Sequence, residues 1–149
     1  MDSEIPRMTT LPDGPWTVAT GENDGQPLFV RINTGAAAVA RQSDLAHRIG
    51  VAVPLRAPDA SGLPAPAESA ILTELEDALE AVLDVGQNTI LVLVLTTGGV
   101  REFVLYTVAP HATEAAIAQL QSQFAAYELQ FYVQLDAEWD GYTSFAEAL

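Results

Sequence analysis

Two short stretches near the N-terminus, Trp16–Thr20 and Pro27–Asn33, alternate apolar and polar positions. Between them Asp24-Gly25 is a hairpin-type pair, so the two stretches predict a β-hairpin. Thr34–Ala46 has no clear period and reads as a loop with a short helix inside Ala36–Gln42. His47–Leu55 alternates again. Ile49, Val51, Val53 and Leu55 share one face, the small Gly50 and Ala52 on the other face permit close packing, and Pro54 ends the ladder. Pro66 suits the first position of a helix, followed by Ile71, Leu72, Leu75, Ala78, Leu79, Val82 and Leu83 at helical spacing, with Gly86 as the expected stop. Thr89–Thr96 is a strand apolar on both faces, Thr97-Gly98-Gly99 a tight turn, and Val100–Val108 the returning strand. Pro110 and Thr113 open a second helix in which Ile117, Leu120, Phe124 and Tyr127 recur every three or four residues. Glu128–Leu135 alternates without a break. Leu129, Phe131, Val133 and Leu135 are expected inward, and Glu128, Gln130, Tyr132 and Gln134 outward.

The order is a hairpin, then β-α-β-β-α-β from His47 to Leu135. This predicts an α+β fold: a ferredoxin-like βαββαβ sandwich with an added N-terminal β-hairpin and a C-terminal aromatic tail. No internal linker divides the chain. The expected organisation is a single domain over 1–149, with a flexible N-terminus at 1–14, hairpin and loop at 15–46, the core at 47–135 and a capping tail at 136–149. That topology makes the Ile90–Leu95 strand an edge, although both its faces are apolar. Exposed apolar edges aggregate, so the hairpin, the tail or a second subunit must cover it.

Charge changes the picture most. Among 149 residues, 20 acids face six bases, all arginine, for a net charge of −14. Such a chain repels phosphate backbones, which argues against a nucleic-acid partner and leaves a basic protein or a second copy of the chain as expected partners. The absence of cysteine excludes disulfides and thiolate chemistry. Met1–Gly14 has no apolar leader, and Ile90–Leu95, the longest apolar run, is far shorter than the ~20 residues a membrane span needs. The expected setting is the cytoplasm, with no membrane partner.

Candidate chemistry is sparse. Asp136, Glu138, Asp140, Gly141 and Glu147 approximate a calcium-loop spacing, but a strand rather than a helix precedes them. They are weak metal candidates beside the simpler reading of a tail that packs Trp139, Tyr142 and Phe145 on the domain. Phe103–Tyr106 echoes the end of an RNA-binding strand motif without its basic and glycine positions. There is no nucleophile elbow, no HExxH, no glycine-rich dinucleotide fingerprint and no P-loop, so no cofactor is expected. On the first helix, Glu76, Glu80 and Asp84 form a stripe at four-residue spacing with no base beside it. That stripe and the sheet face bearing Tyr106 and Tyr132 are the candidate partner-binding positions.

The early Trp16, the His47-Arg48-Ile49-Gly50-Val51 strand, the Thr96–Phe103 hairpin and the late Asp136-x-x-Trp139-x-x-Tyr142 together resemble the bacterial domain of unknown function 695 family, from about Trp16 to Phe145. The resemblance supplies no catalytic residues. Relatives fused to modules similar to the acidic ribonuclease-E regulator B imply a small acidic protein regulator. The leading expectation is therefore a non-enzymatic interaction or regulatory module, possessing no cofactor. The alternatives are a small hydrolase or transferase with a cleft near His47, Arg48, Glu102 and Tyr106, and calcium binding by the tail.

Overall fold

In a computed structural model, residues 10–41 and 44–147 are described. They form six strands, β1 (Trp16–Asn23), β2 (Gln26–Asn33), β3 (His47–Pro54), β4 (Thr89–Thr97), β5 (Val100–Thr107) and β6 (Gln130–Leu135), and three α-helices, α1 (Pro66–Val82), α2 (Thr113–Gln123) and α3 (Asp140–Ala146). The fold is α+β. All six strands join one antiparallel sheet in the order β1-β2-β4-β5-β3-β6. None of the helices among the described residues is long and apolar enough to cross a membrane.

The β1–β2 turn is Asp24-Gly25 alone, both at positive φ, which is the two-residue geometry that matches strand twist. Gly21–Asn23 belongs to β1 rather than to the turn. The hairpin then resolves the edge problem. β2 pairs with β4 from Leu28↔Thr97 to Ile32↔Leu93, so β4 lies inside the sheet.

β4 is apolar on both sides because two cores flank it. On one face Leu72, Leu75 and Leu79 of α1 and Ile117 and Leu120 of α2 bury Ile49, Val51, Leu91, Val94, Phe103 and Leu105. On the other, Trp139 and Tyr142 lie over Val30, Ile32, Ile90, Leu93, Val104 and Tyr106. A bulge at Leu91/Leu93 lets β4 place Val92 and Leu93 on the same side, which strict alternation forbids.

Several boundaries moved for identifiable reasons. α1 begins at Pro66 but ends at Val82; Asp84 is the first residue at positive φ beyond it, ahead of Gly86, which also has positive φ. α2 stops at Gln123, so Phe124 and Tyr127 do not continue it. Tyr127 is instead drawn to the start of α1 by a hydrogen bond. Thr34–Ala38 is a 3-10 helix. Within the expected flexible N-terminus, Thr10–Gly14 is docked: Leu11 is buried and its N–H donates to Gly86 O at 2.8 Å. The remainder of that segment, 1–9, lies outside the described residues.

The inward reading of β6 holds only for its first half. Phe131 packs on the helix-side core, but Val133 and Leu135 are 37% and 66% exposed. α2 buries only Thr113, Ile117 and Leu120, and nothing among the described residues covers the end of β6.

Candidate functional site

The face of the sheet opposite α1 and α2 is built around one carboxylate. Asp136, just after β6, accepts the N–H groups of Asp140 and Gly141 at 2.9 and 3.0 Å, the Tyr106 hydroxyl at 2.7 Å and Arg48 Nη1 at 2.9 Å. Burial pushes this carboxyl up, but the N–H of Gly141, the Tyr106 hydroxyl, the N–H of Asp140 and the Arg48 charge together hold it below its usual range. The same burial and the same bond drive the Tyr106 phenol far above its ordinary value. Asp136 therefore ties the tail to β3 and β5. Trp139 completes the knot: it stacks on Tyr106 at 4.1 Å, meets Tyr142 edge-on at 5.6 Å and donates from Nε1 to Leu45 O at 2.8 Å.

This arrangement corrects two expectations. Tyr106 is not a surface residue for a partner; it is fully buried beneath Trp139. Of the positions expected to form a cleft, Arg48, Glu102 and Tyr106 share the tail-side face, with Tyr106 beneath Trp139 and Tyr132 between Arg48 and Glu102, but His47 does not join them. His47 and Arg48 are neighbours on one strand and so project to opposite faces, and the tail fills the space beside Tyr106. The tail residues of the calcium pattern are also dispersed. Asp140 begins α3, so the second half of the would-be loop is helical. Glu138 and Glu147 are 78% and 74% exposed, each 3.8 Å from Arg41. No cluster of three or more metal-ligating side chains occurs among the described residues.

A second buried carboxylate was not legible from charge pattern. Glu68, in the first turn of α1, accepts Arg56 N–H at 2.7 Å, Ala57 N–H at 2.9 Å and the Tyr127 hydroxyl at 2.7 Å. A glutamate at the third helical position often reaches back to the capping residue; here it reaches past it to the chain leaving β3. Burial raises this carboxyl, but the Tyr127 bond and the two N–H donors outweigh it and leave it lowered. Tyr127 is pushed up to about 12 by burial and by that bond.

Asp84 lies beyond the end of α1 at positive φ, so the expected three-residue stripe is reduced on the helix to Glu76 and Glu80, and it is not free of bases. Arg31 of β2 reaches Glu76 at 2.7 Å, and Asp84 accepts Asn88 Nδ2 at 2.8 Å. The hairpin, remote in sequence, supplies the missing cation. Glu80 is left half-buried, and its carboxyl is pushed up by burial, then by Glu76, Asp13 and Asp77. A carboxyl raised above its unfolded value destabilises the fold while ionised. Glu80→Gln should therefore stabilise the protein by a few tenths of a kcal/mol at neutral pH. The gain should vanish below about pH 4, where the wild-type side chain is itself protonated. Thermal melts of both proteins at the two pH values check this.

The outer strand β6 is largely exposed. Tyr132 lies flat on Gly50, where any Cβ would collide with its ring. Arg48 sits 5.6 Å over that ring, and the hydroxyl points at Glu102 Oε2, 3.4 Å away. Arg48 Nη2 donates to Gln134 at 3.2 Å. One arginine thus fixes both the buried knot and the outward row of the edge strand.

An antiparallel sheet with a helical face and a tail-capped face, bordered by this edge, defines the architecture. The family model for a family of unknown function, DUF695, matches residues 14–146, and the chain belongs to that family. No curated protein and no solved structure matches the chain.

Proposed function

We propose that the protein is a non-enzymatic interaction module that receives an extended segment of a basic partner along β6. The observation that carries this reading is the edge itself. Gln130–Leu135 contains no charged residue, ends the sheet, and exposes Tyr132 at 38%, Val133 at 37% and Leu135 at 66%. Proteins ordinarily protect such edges with charge, proline or a cover, whereas strand addition uses bare backbone for affinity and alternate side chains for specificity. The opposite edge, β1, carries Thr17, Thr20, Glu22 and Asn23.

Charge selects the occupant. A second copy would bring another −14 against the first, whereas a basic segment is steered in by it. The exposed Glu128 and Glu138 flank the strand. The order of elements from His47 to Leu135 and the spatial order β4-β5-β3-β6 support a ferredoxin-like sandwich, to which β1 and β2 add two strands. In that arrangement β6 is the one outer strand the hairpin does not reach.

The test uses two labelled ten-residue peptides, alternating valine with lysine or valine with glutamate, titrated by fluorescence anisotropy. The lysine peptide should bind and weaken with salt, and Leu135→Lys should weaken it by about tenfold. Equal binding of the glutamate peptide, or no binding of either, overturns the proposal. A stable dimer in light scattering that Leu135→Lys dissociates would assign the edge to a second copy instead.

A further inference from the structure

We infer that a groove on the helix-bearing face, between the hairpin and the loop before α1, binds a small carboxylate with an apolar body. The groove has a volume of about 360 Å³, within the range of roughly 300–1,000 Å³ usual for small-molecule sites. Its lining comes from four strands, β1, β2, β4 and β5, and from the loop before α1. Cross-strand register sets its floor: Val18 of β1 opposes Arg31 of β2, which opposes Val94 of β4. In the next row Phe29 opposes Thr96, which opposes Arg101 of β5. Leu63 and Pro64 of the loop form a wall. Val18 and Phe29 are 64% and 42% exposed, so the apolar surface is open to a ligand.

Two of the chain's six bases line this one groove. Their partners are unequal. Arg31 donates one terminal nitrogen to Glu76 at 2.7 Å. Among the described residues Arg101 donates only its Nε, to Thr96 Oγ1 at 2.9 Å. Its terminal nitrogens meet no carboxylate within ion-pair reach among the described residues. Arg31 is paired with Glu76 inside hydrogen-bond distance, whereas Glu68 acts on Arg101 only from beyond ion-pair reach, so a carboxylate brought into contact with Arg101 would be its first direct anionic partner among the described residues. Burial, and then the neighbouring Arg31 charge, lower the Arg101 pKa, and the more distant Glu76 and Glu68 charges only partly offset them. That planar pair of nitrogens, without a carboxylate partner among the described residues, matches a carboxylate's two oxygens, while the walls reward an apolar body. The strongly negative chain as a whole disfavours polyanions such as nucleotides.

The test is calorimetric titration of the full chain with hexanoate, 3-phenylpropanoate, hexanol and inorganic phosphate. Both carboxylates should bind, with hexanol and phosphate weaker by about tenfold or more. Arg101→Met, which keeps the apolar stem, should lose about tenfold in carboxylate affinity, and Arg101→Lys should fall between the two. Arg41→Gln, remote from the groove, should bind as wild type. Should Arg101→Met fail to fold, Val18→Glu at the exposed lip should abolish carboxylate binding by repulsion. The inference is overturned if hexanol or phosphate binds as well as the carboxylates. It is equally overturned if neither carboxylate binds at about 10 mM, or if folded Arg101→Met or Val18→Glu binds as wild type.

Discussion

Replacing Asp136 with alanine should destabilise the protein by about 3–5 kcal/mol, the cost of breaking a buried ion pair by removing one partner. The large value follows from what is left behind. Arg48 is only 18% exposed and its Nε already has no acceptor among the described residues, so losing Asp136 leaves most of the guanidinium uncompensated. The Tyr106 hydroxyl, buried under Trp139, loses its acceptor, and the first N–H groups of α3 lose theirs. Asp136→Asn keeps one carbonyl oxygen but no charge, and should cost about 1.5–3 kcal/mol. Urea unfolding monitored by circular dichroism measures both.

The same site fixes the sign of the acid response. Asp136 and Glu68 both have carboxyls lowered by folding. The stability each contributes is complete above the unfolded carboxylate range, about pH 4, and is lost as pH falls through its folded value. Glu80, whose carboxyl is raised, acts in the opposite sense at higher pH. Wild-type stability should therefore fall on acidification below about pH 4, and Asp136→Asn combined with Glu68→Gln should flatten that fall. An unchanged slope in the double variant would remove both carboxylates from the account.

The hairpin, α1 and the need to cover Ile90–Leu95 were legible because each rests on local chemistry. Asp24-Gly25 dictates its turn, Pro66 and the leucine spacing dictate α1, and a strand apolar on both faces must lie between two layers. The burial of Tyr106 and the exposure of Leu135 were not legible, for a shared reason. Alternation tells which residues of a strand lie together, but not whether another element reaches over them. Tyr106 is covered by a tail residue 33 positions later, whereas Leu135 lies beyond the buried side of α2. The pairing of Glu76 with Arg31 is likewise long-range, spanning 45 positions. Single-helix charge patterns cannot see a cation delivered by a neighbouring strand. The candidate edge therefore emerged from what the tail and α2 leave bare, not from any motif.

Trp139→Ala should cost about 3–5 kcal/mol, as for other fully buried large aromatics. At this chain length each kcal/mol corresponds to about 2–4 °C in Tm. The indole fills the centre of the tail-side core, stacks on Tyr106 and satisfies Leu45 O, so its loss opens a cavity and orphans a buried carbonyl. A second variant separates packing from backbone. Trp139 has φ of 60° and ψ of 37°, a left-handed conformation that costs a side-chain-bearing residue roughly 1–2 kcal/mol. Glycine adopts that conformation without the penalty. Trp139→Gly, though it removes one more carbon, should therefore be more stable than Trp139→Ala by about 1 kcal/mol, the reverse of the order inside a helix. If alanine proved the better replacement, the turn that delivers the tail to the sheet would not hold its left-handed residue in solution. The route by which Asp136 and Trp139 reach Tyr106 would then have to differ from the one described.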